Sequence, residues 1–411
     1  MDPLPLSPVV DVNENINSVN DNSRRKGIDK GPHLTWVIGL ILAILVISVL
    51  YISLKPTKPT QQISSGNITL TGAQIAEKTY GFLNTFVGKD NLPTKIYYCD
   101  QGCNKEDSEG IPQGIAWSTL ADASMYHLTK DEKYKTILNF KSDYLMNSCA
   151  AESNKCWGTE IYSNIDSCMY TVVQLHNTYT ITQRPDFKDF LSNVGDCASH
   201  DFSGFPMLDA IVARQTILIY SIETVESRGL QRHLYLNSLS NYWLNESEAH
   251  RSVASLYYAG KDFEFRQGDC WIQNAKLEFY RATKDPRYLD DVELFFRQVG
   301  LAEHLGQSSI PLMTAQDIAA CTESLLDLHE ITNRKEYADE AGSLTANLLS
   351  NYWDSPISPV YNGDGGFLTI GKENPRNQKK ISDNAYVIYV LSRQQNTIFT
   401  IHNNGRVDVI K

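Results

Sequence analysis

The sequence predicts an all-α fold: an (α/α)6 toroid of six helical hairpins, closed by pairing of its N- and C-terminal helices and preceded by one transmembrane helix. Three observations predict it. A phrase of threonine, four mostly polar residues and an aromatic recurs as Thr129–Tyr134, Thr182–Phe187, Thr283–Tyr288 and Thr332–Tyr337, with the threonines 53, 101 (a double step) and 49 residues apart. A period of that length marks a repeated supersecondary unit. Apolar residues at three- and four-residue steps flank the phrase, as in Ile318, Cys321, Leu325 and Leu328, so each unit reads as two helices joined by a tight turn. One helix is left over at each end, over 74–86 and 383–393; pairing them covers both apolar faces and adds a sixth hairpin. An open helical solenoid is the other arrangement open to such repeats.

The elements follow in order. Residues 1–34 are rich in Asn, Asp, Ser and Pro and poor in apolar side chains, the composition of a disordered tail. Thr35 to Leu54 is an uncharged apolar run of about twenty residues, enough to cross a bilayer core. The long polar stretch before it and the lack of a small-x-small site after it favour an uncleaved signal anchor over a signal peptide. Arg24, Arg25, Lys26 and Lys30 precede the run closely and only Lys55 and Lys58 follow it. The positive-inside bias therefore places the N-terminus in the cytoplasm and the bulk of the chain outside the cell membrane. Residues 55–70 form a stalk and 71–411 the toroid domain.

All eight cysteines lie beyond the apolar run, as an oxidising compartment allows. Cys99 with Cys103, and Cys149 with Cys156, are the pairs near enough in sequence for local bridging. No cysteine or histidine spacing suits zinc. Two sequons, Asn67-Ile68-Thr69 and Asn245-Glu246-Ser247, fall on the same side. A net charge of -11 with no basic stripe leaves nucleic acid without an electrostatic footprint.

Five hairpins are read directly, with first helices over 114–128, 166–181, 207–223, 267–282 and 314–331, and second helices over 131–147, 185–197, 228–243, 286–302 and 335–350. Turns inside a hairpin are short, whereas several links between hairpins run to about 18–28 residues. All these links emerge on one face, at the N-termini of the inner helices, and long loops on a rigid scaffold commonly carry function. Asn362-Gly363 in one of them marks a hairpin turn. Asn362-Gly363-Asp364-Gly365-Gly366 also contains part of a calcium-loop pattern, without its ligand series.

About fifteen residues before the later repeat threonines stand Asp166, Asp209, Asp269 and Asp317, with Asp383 equivalent in the last inner helix and Gln113 in the first. Aspartate at a helix start caps free N–H groups and suits the dipole, for ~1 kcal/mol. Carboxylates converging on one concavity also raise each other's pKa, which keeps an acid protonated near neutrality. Two carboxyls of unequal pKa astride a cleft are the equipment of glycosidic bond cleavage. Trp117, Trp157 and Trp271 lie beside these positions and suit sugar stacking or core packing. Arg266 and Arg214 are available to anchor an anionic group or to neutralise the carboxylates. His127, His176 and His329 fall within helix patterns as packing or surface residues.

The hairpin rhythm and the segment Ala282-Thr283-Lys284-Asp285-Pro286-Arg287-Tyr288 resemble the six-hairpin glycosidase superfamily over roughly residues 72 to 395. Ile165-Asp166-Ser167-Cys168-Met169 is similar to the segment of unsaturated glucuronyl hydrolases that carries their general acid/base. Arg266-Gln267-Gly268-Asp269-Cys270-Trp271 is similar to their Arg-Gly-Gln-x-Trp segment, with altered order and one extra residue. Their second aspartate motif precedes the first; here its letters occur only after Asp166, in His200-Asp201-Phe202-Ser203-Gly204-Phe205.

The expectation is a membrane-anchored, extracytoplasmic glycoside hydrolase without cofactor or metal, acting on an acidic or surface polysaccharide. Asp166 is its proton donor, with Asp269 or Asp383 as partner. Trp117, Trp157 and Trp271 form a sugar platform, and Gln113, Asp209, Arg266 and Asp317 are further substrate contacts. A non-catalytic toroid that binds glycans or a protein is the competing class, and lyase or epimerase chemistry stays open on the same scaffold.

Overall fold

The computed structural model describes residues 67–88, 91–93, 97–99, 111–150, 176, 178–187, 214, 269–299, 313–356, 363–371 and 378–410, all within the unit Ser65–Lys411. The apolar run Thr35–Leu54, Trp157, Asp166, Asp209, Arg266 and both proposed local cysteine pairings lie outside the described residues or rest on side chains outside them. No helix among the described residues is long and apolar enough to cross a membrane.

Eight helices are described: α1 (Gly72–Leu83), α2 (Ile111–Thr129), α3 (Glu132–Ala150), α4 (Asp269–Thr283), α5 (Pro286–Val299), α6 (Ala315–Thr332), α7 (Lys335–Asn351) and α8 (Ile381–Arg393). Helices α2 and α3, α4 and α5, and α6 and α7 pack as hairpins, while α4 packs on α6, α6 on α8, and α8 on α2. The first helices thus form a continuous inner row that runs through the chain ends. Helix α1 packs on α8, which is the expected pairing of the two leftover helices. Residues 317–328 of α6 are all buried, whereas α7 buries a partial stripe. A helix with neighbours on every side has no polar face to offer water.

The described residues also contain strands, which the all-α expectation omits. They are β1 (Ile68–Thr71), β2 (Tyr97–Cys99), β3 (Gln378–Lys380), β4 (Ile398–Ile401) and β5 (Val407–Ile410). Antiparallel pairing of β1 with β4, from Ile68↔Ile401 to Thr71↔Ile398, fastens the start of the domain to its end. Strand β5 extends the same sheet, after a turn in which Gly405 takes φ 82°. At the junction of β1 and α1 the backbones of Gly72 and Gln394 touch: a Cβ on Gly72 would lie 2.4 Å from the Gln394 carbonyl oxygen, so only glycine fits.

The repeated phrase has a physical basis. Thr129, Thr182, Thr283 and Thr332 each donate from Oγ1 to the carbonyl four residues earlier, at 2.6–2.9 Å. In three copies the same oxygen accepts the N–H two residues later, at 3.2–3.3 Å. Between them Lys130, Gln183, Lys284 and Asn333 take φ of 55–60°, the left-handed stop that ends many helices. The aromatic that closes the phrase, Tyr134, Phe187, Tyr288 or Tyr337, is buried in the hairpin core.

Candidate active site

The inner helices α4, α6 and α8 begin with the sequence-predicted aspartates: Asp269 is the first residue of α4, and Asp317 and Asp383 lie in the first turns of α6 and α8. Their surroundings separate them. Thr314 caps α6, its hydroxyl accepting from the Asp317 N–H at 3.1 Å. The Asp317 carboxylate returns the bond, accepting from the Thr314 N–H at 3.0 Å and hydroxyl at 2.7 Å. This reciprocal box satisfies helix-end donors that are otherwise left open. Trp271 Nε1 adds a longer contact to Asp317 Oδ1 at 3.4 Å.

Asp383 is different. Strand β3 runs directly into α8, so the N-cap is Lys380, whose side chain makes no cap bond. Asp383 is 1 % exposed, and its Oδ2 is buried with no hydrogen-bond partner. Burial, reinforced by the nearby Asp317 charge, pushes its pKa up to about 6, against the opposing pull of the Thr369 hydroxyl and the Lys380 ammonium. Thr369 Oγ1 is likewise buried, and its hydroxyl is the first of the influences that hold the Asp383 pKa down. Burial also raises the pKa of Asp317, held back first by its bonds to Thr314.

The loop carrying Thr369 is fixed from two sides. Asn384, next to Asp383, accepts the Phe367 N–H at 2.7 Å and donates to the Lys380 carbonyl at 2.7 Å. Beyond it, Lys379 Nζ sits between Asp354 Oδ2 at 2.8 Å and Asp364 Oδ1 at 2.5 Å. The partial calcium pattern around Asp364 is therefore served by a lysine cation from β3. Among the described residues no cluster of His, Cys, Asp and Glu has the makings of a metal site.

Below the aspartates lies an aromatic and polar floor. Trp271 and Trp117 both pack on Tyr386, with ring centroids 5.4 and 5.6 Å away. Trp117 is fully buried and Trp271 nearly so, so these two tryptophans support the floor from within. The Tyr386 hydroxyl donates to Glu323, and Asn274 donates to Glu323 Oε2 at 3.2 Å. Arg214 holds the same carboxylate with contacts of 3.2 and 2.6 Å. Its guanidinium is therefore engaged inside the ring. Gln113 lies in the first turn of α2. Neighbouring inner helices are also joined covalently, by a disulfide between Cys270 and Cys321, a non-local pair that sequence spacing did not suggest.

The site thus brings Asp317, Asp383 and Trp271 together around Thr369, Lys380 and Tyr386. Sequence reasoning missed Thr369, Lys380 and Glu323. Lys380, three residues before Asp383, occupies the position that Thr314 holds before Asp317, and that contrast is visible in the sequence.

No known family model and no curated protein sequence matches this chain. Solved structures do. A family 76 glycoside hydrolase, an α-mannanase from Bacteroides thetaiotaomicron, aligns with a TM-score of 0.52 at 13% identity over 80% of this chain and 96% of its own. The α-1,6-mannanase of Salegentibacter sp. gives 0.53 at 12% identity over 79% and 98%. A D-mannose isomerase gives 0.52 at 11% identity over 77% and 95%. At these identities the likeness is one of fold, and that fold is the (α/α)6 toroid.

Proposed function

We propose that the chain is a carbohydrate-active enzyme that cleaves a glycosidic bond, with Asp383 as the carboxylic acid that protonates the leaving oxygen. The observation that carries this reading is the buried Asp383 carboxyl, with an unpartnered oxygen and a pKa raised to about 6. A donor of that pKa is about half protonated at pH 6 and roughly one-tenth protonated at pH 7, far more than an ordinary aspartate, and it yields its proton readily, as general acid catalysis needs. Asp269, half-buried at the start of α4, is the candidate second carboxylate. Asp166, given the donor role by the sequence, lies outside the described residues.

The structural neighbours support a sugar substrate but suggest a different carboxylate set. Inactive variants of the Salegentibacter mannanase replace two consecutive aspartates. Consecutive aspartates occur here only as Asp290-Asp291; they lie in the outer helix α5, where Asp291 binds Lys276 at 2.6 Å. Catalysis in this chain would draw instead on the inner-helix N-termini. Electrostatics also favours a neutral glycan over an acidic one. The described mouth offers Asp269, Asp317 and Asp383 against Lys380, and Arg214 is committed to Glu323. A net charge of -11 further disfavours approach of a polyanion.

Membrane anchorage by Thr35–Leu54 and an extracytoplasmic domain belong to the same proposal. The flanking cations and the Cys270–Cys321 disulfide support them, since such bonds persist in oxidising compartments.

The test is hydrolysis of a glycan panel by the full chain, read as new reducing ends, beside the Asp383→Asn variant. Release from a neutral polysaccharide, lost in the variant, is expected. Full activity in the variant overturns the assignment of Asp383. Glycan binding without release by the wild type would favour the non-catalytic reading, for which the closed Thr314–Asp317 box is the supporting observation.

A further inference from the structure

The internal repeat supplies a control for a second cleft, at the hairpin turns rather than at the inner-helix N-termini. Where the turn of the second hairpin meets α3, a cleft of about 540 Å³ opens, within the ~300–1,000 Å³ of small-molecule sites. Tyr126, Lys135, Asn139, Asp143, Thr182 and Arg184 line it. The corresponding junction, where the α6–α7 turn meets α5, is built on the same frame. Counted from the repeat threonines, Lys135, Asn139 and Asp143 occupy the places of Leu289, Glu293 and Arg297, and Arg184 that of Arg334. In the α5 junction Leu289 packs against the core, and Glu293 is held by Arg334 at 2.9 Å and Arg297 at 3.9 Å. Apolar packing and ion pairs occupy that site.

The first junction replaces all three of these residues. Lys135 in the leucine position keeps 45% of its side chain exposed, reaches Glu132 at 3.5 Å and lies over the Tyr126 ring, 5.5 Å from its centroid. Arg184 is immobilised by Asp186, by Asn139 Oδ1 at 2.8 Å and by Asp143 Oδ1 at 2.6 Å. Asn139 uses its oxygen on Arg184, which leaves its amide hydrogens as donors. Asp143, 54% exposed, retains a second carboxylate oxygen as acceptor. An aromatic ring, an ammonium, an amide and a carboxylate therefore share one cleft, in which Lys135 and Arg184 are answered by Glu132, Asp143 and Asp186. An anion would meet Asp143, and a cation would meet Lys135 and Arg184. Hydroxyl groups, which both donate and accept, suit the mixture.

We propose that this cleft is a second carbohydrate-binding site, taking a neutral oligosaccharide independently of the aspartate mouth. The inference stands apart from the catalytic reading, because it rests on the turn face alone.

The test is isothermal titration of the full chain in the Asp383→Asn background with α-1,6-mannotriose, xylotriose and trigalacturonate. Lys135→Leu, Asn139→Glu and Asp143→Arg together install the residues of the α5 junction. We expect a neutral trisaccharide to bind and the triple variant to lose tenfold or more in affinity at one site, with Tm unchanged. If the triple variant does not fold, Lys135→Leu alone is expected to weaken the same site. Undetectable binding of both neutral sugars, tighter binding of trigalacturonate, or affinity indifferent to these changes overturns the proposal. Hydrolysis by the wild type is read separately, so failure here does not touch the assignment of Asp383.

Discussion

Replacing Asp383 by asparagine is expected to stabilise the protein at neutral pH while abolishing its chemistry. A carboxyl whose pKa rises from 3.8 to about 6 on folding binds its proton more tightly in the native state than in the unfolded chain. Stability from that proton is fully present below pH ~4 and is lost as pH rises through ~6. At about 1.4 kcal/mol per pKa unit, the charged form is penalised by on the order of 3 kcal/mol at pH 7. For a domain of this size that corresponds to roughly 3–5 °C in Tm. Asparagine keeps the shape and removes the titration, and its amide can donate to the buried Thr369 hydroxyl. Thermal unfolding of both proteins from pH 4 to 7.5 should give Tm values that nearly coincide at the acid end and diverge through pH 5–6, with the variant higher. Parallel curves, or a variant less stable at pH 7, would refute the argument that Asp383 is a desolvated, weakly compensated acid.

Two further predictions concern the supports of the site. Cys270→Ser with Cys321→Ser opens a loop with a sequence separation of 51, for which the chain-entropy model gives a loss of about 4 kcal/mol; chemical denaturation compared with the wild type measures it. Lys379→Met leaves Asp354 buried without its cation and should cost roughly 3–5 kcal/mol. Adding Asp354→Leu is expected to restore a large part of that loss, checked by the same denaturation series as a double-mutant cycle.

The toroid was legible because its signal is periodic and local. Each threonine phrase encodes a helix stop, a left-handed residue and a buried aromatic within six positions, and the pairing of the leftover helices followed from their exposed apolar faces. The small sheet was not, because β1 and β4 have four residues each and are joined only by folding, across more than three hundred positions. The Cys270–Cys321 bond was missed for the same reason: the two cysteines occupy matching places on adjacent inner helices, whereas spacing in the sequence directs attention to near pairs. The aspartates were found by counting, but counting cannot say what else reaches them. Thr369 arrives on a loop whose course depends on Asn384 and on the Lys379–Asp354 pair. Arg214 reads in the sequence as an anion anchor or a neutralising cation until the fold places it against Glu323.

The aspartates at inner-helix starts share a letter and a register, yet a neighbour three positions earlier separates their fates. Thr314 offers a hydroxyl that closes a box with Asp317; Lys380 offers none to Asp383, and Arg266 stands at that place before Asp269. Both Asp317 oxygens face donors, Thr314 N–H and O–H on one and Trp271 N–H on the other. An asparagine there must turn its amide group toward one of those donors. Orphaning a buried donor costs about 1–3 kcal/mol, while the Thr314 cap on the backbone N–H of residue 317 stays in place. Asp317→Asn is therefore expected to lower Tm at pH 7, opposite in sign to Asp383→Asn, although burial raises the pKa of both carboxyls. Opposite shifts in the two variants would identify Asp317 as a member of the capping box and Asp383 as the acid held in reserve. Equal gains would mean that burial alone governs both positions, and the Thr-to-Lys contrast would lose its meaning as a guide to chemistry in these repeats.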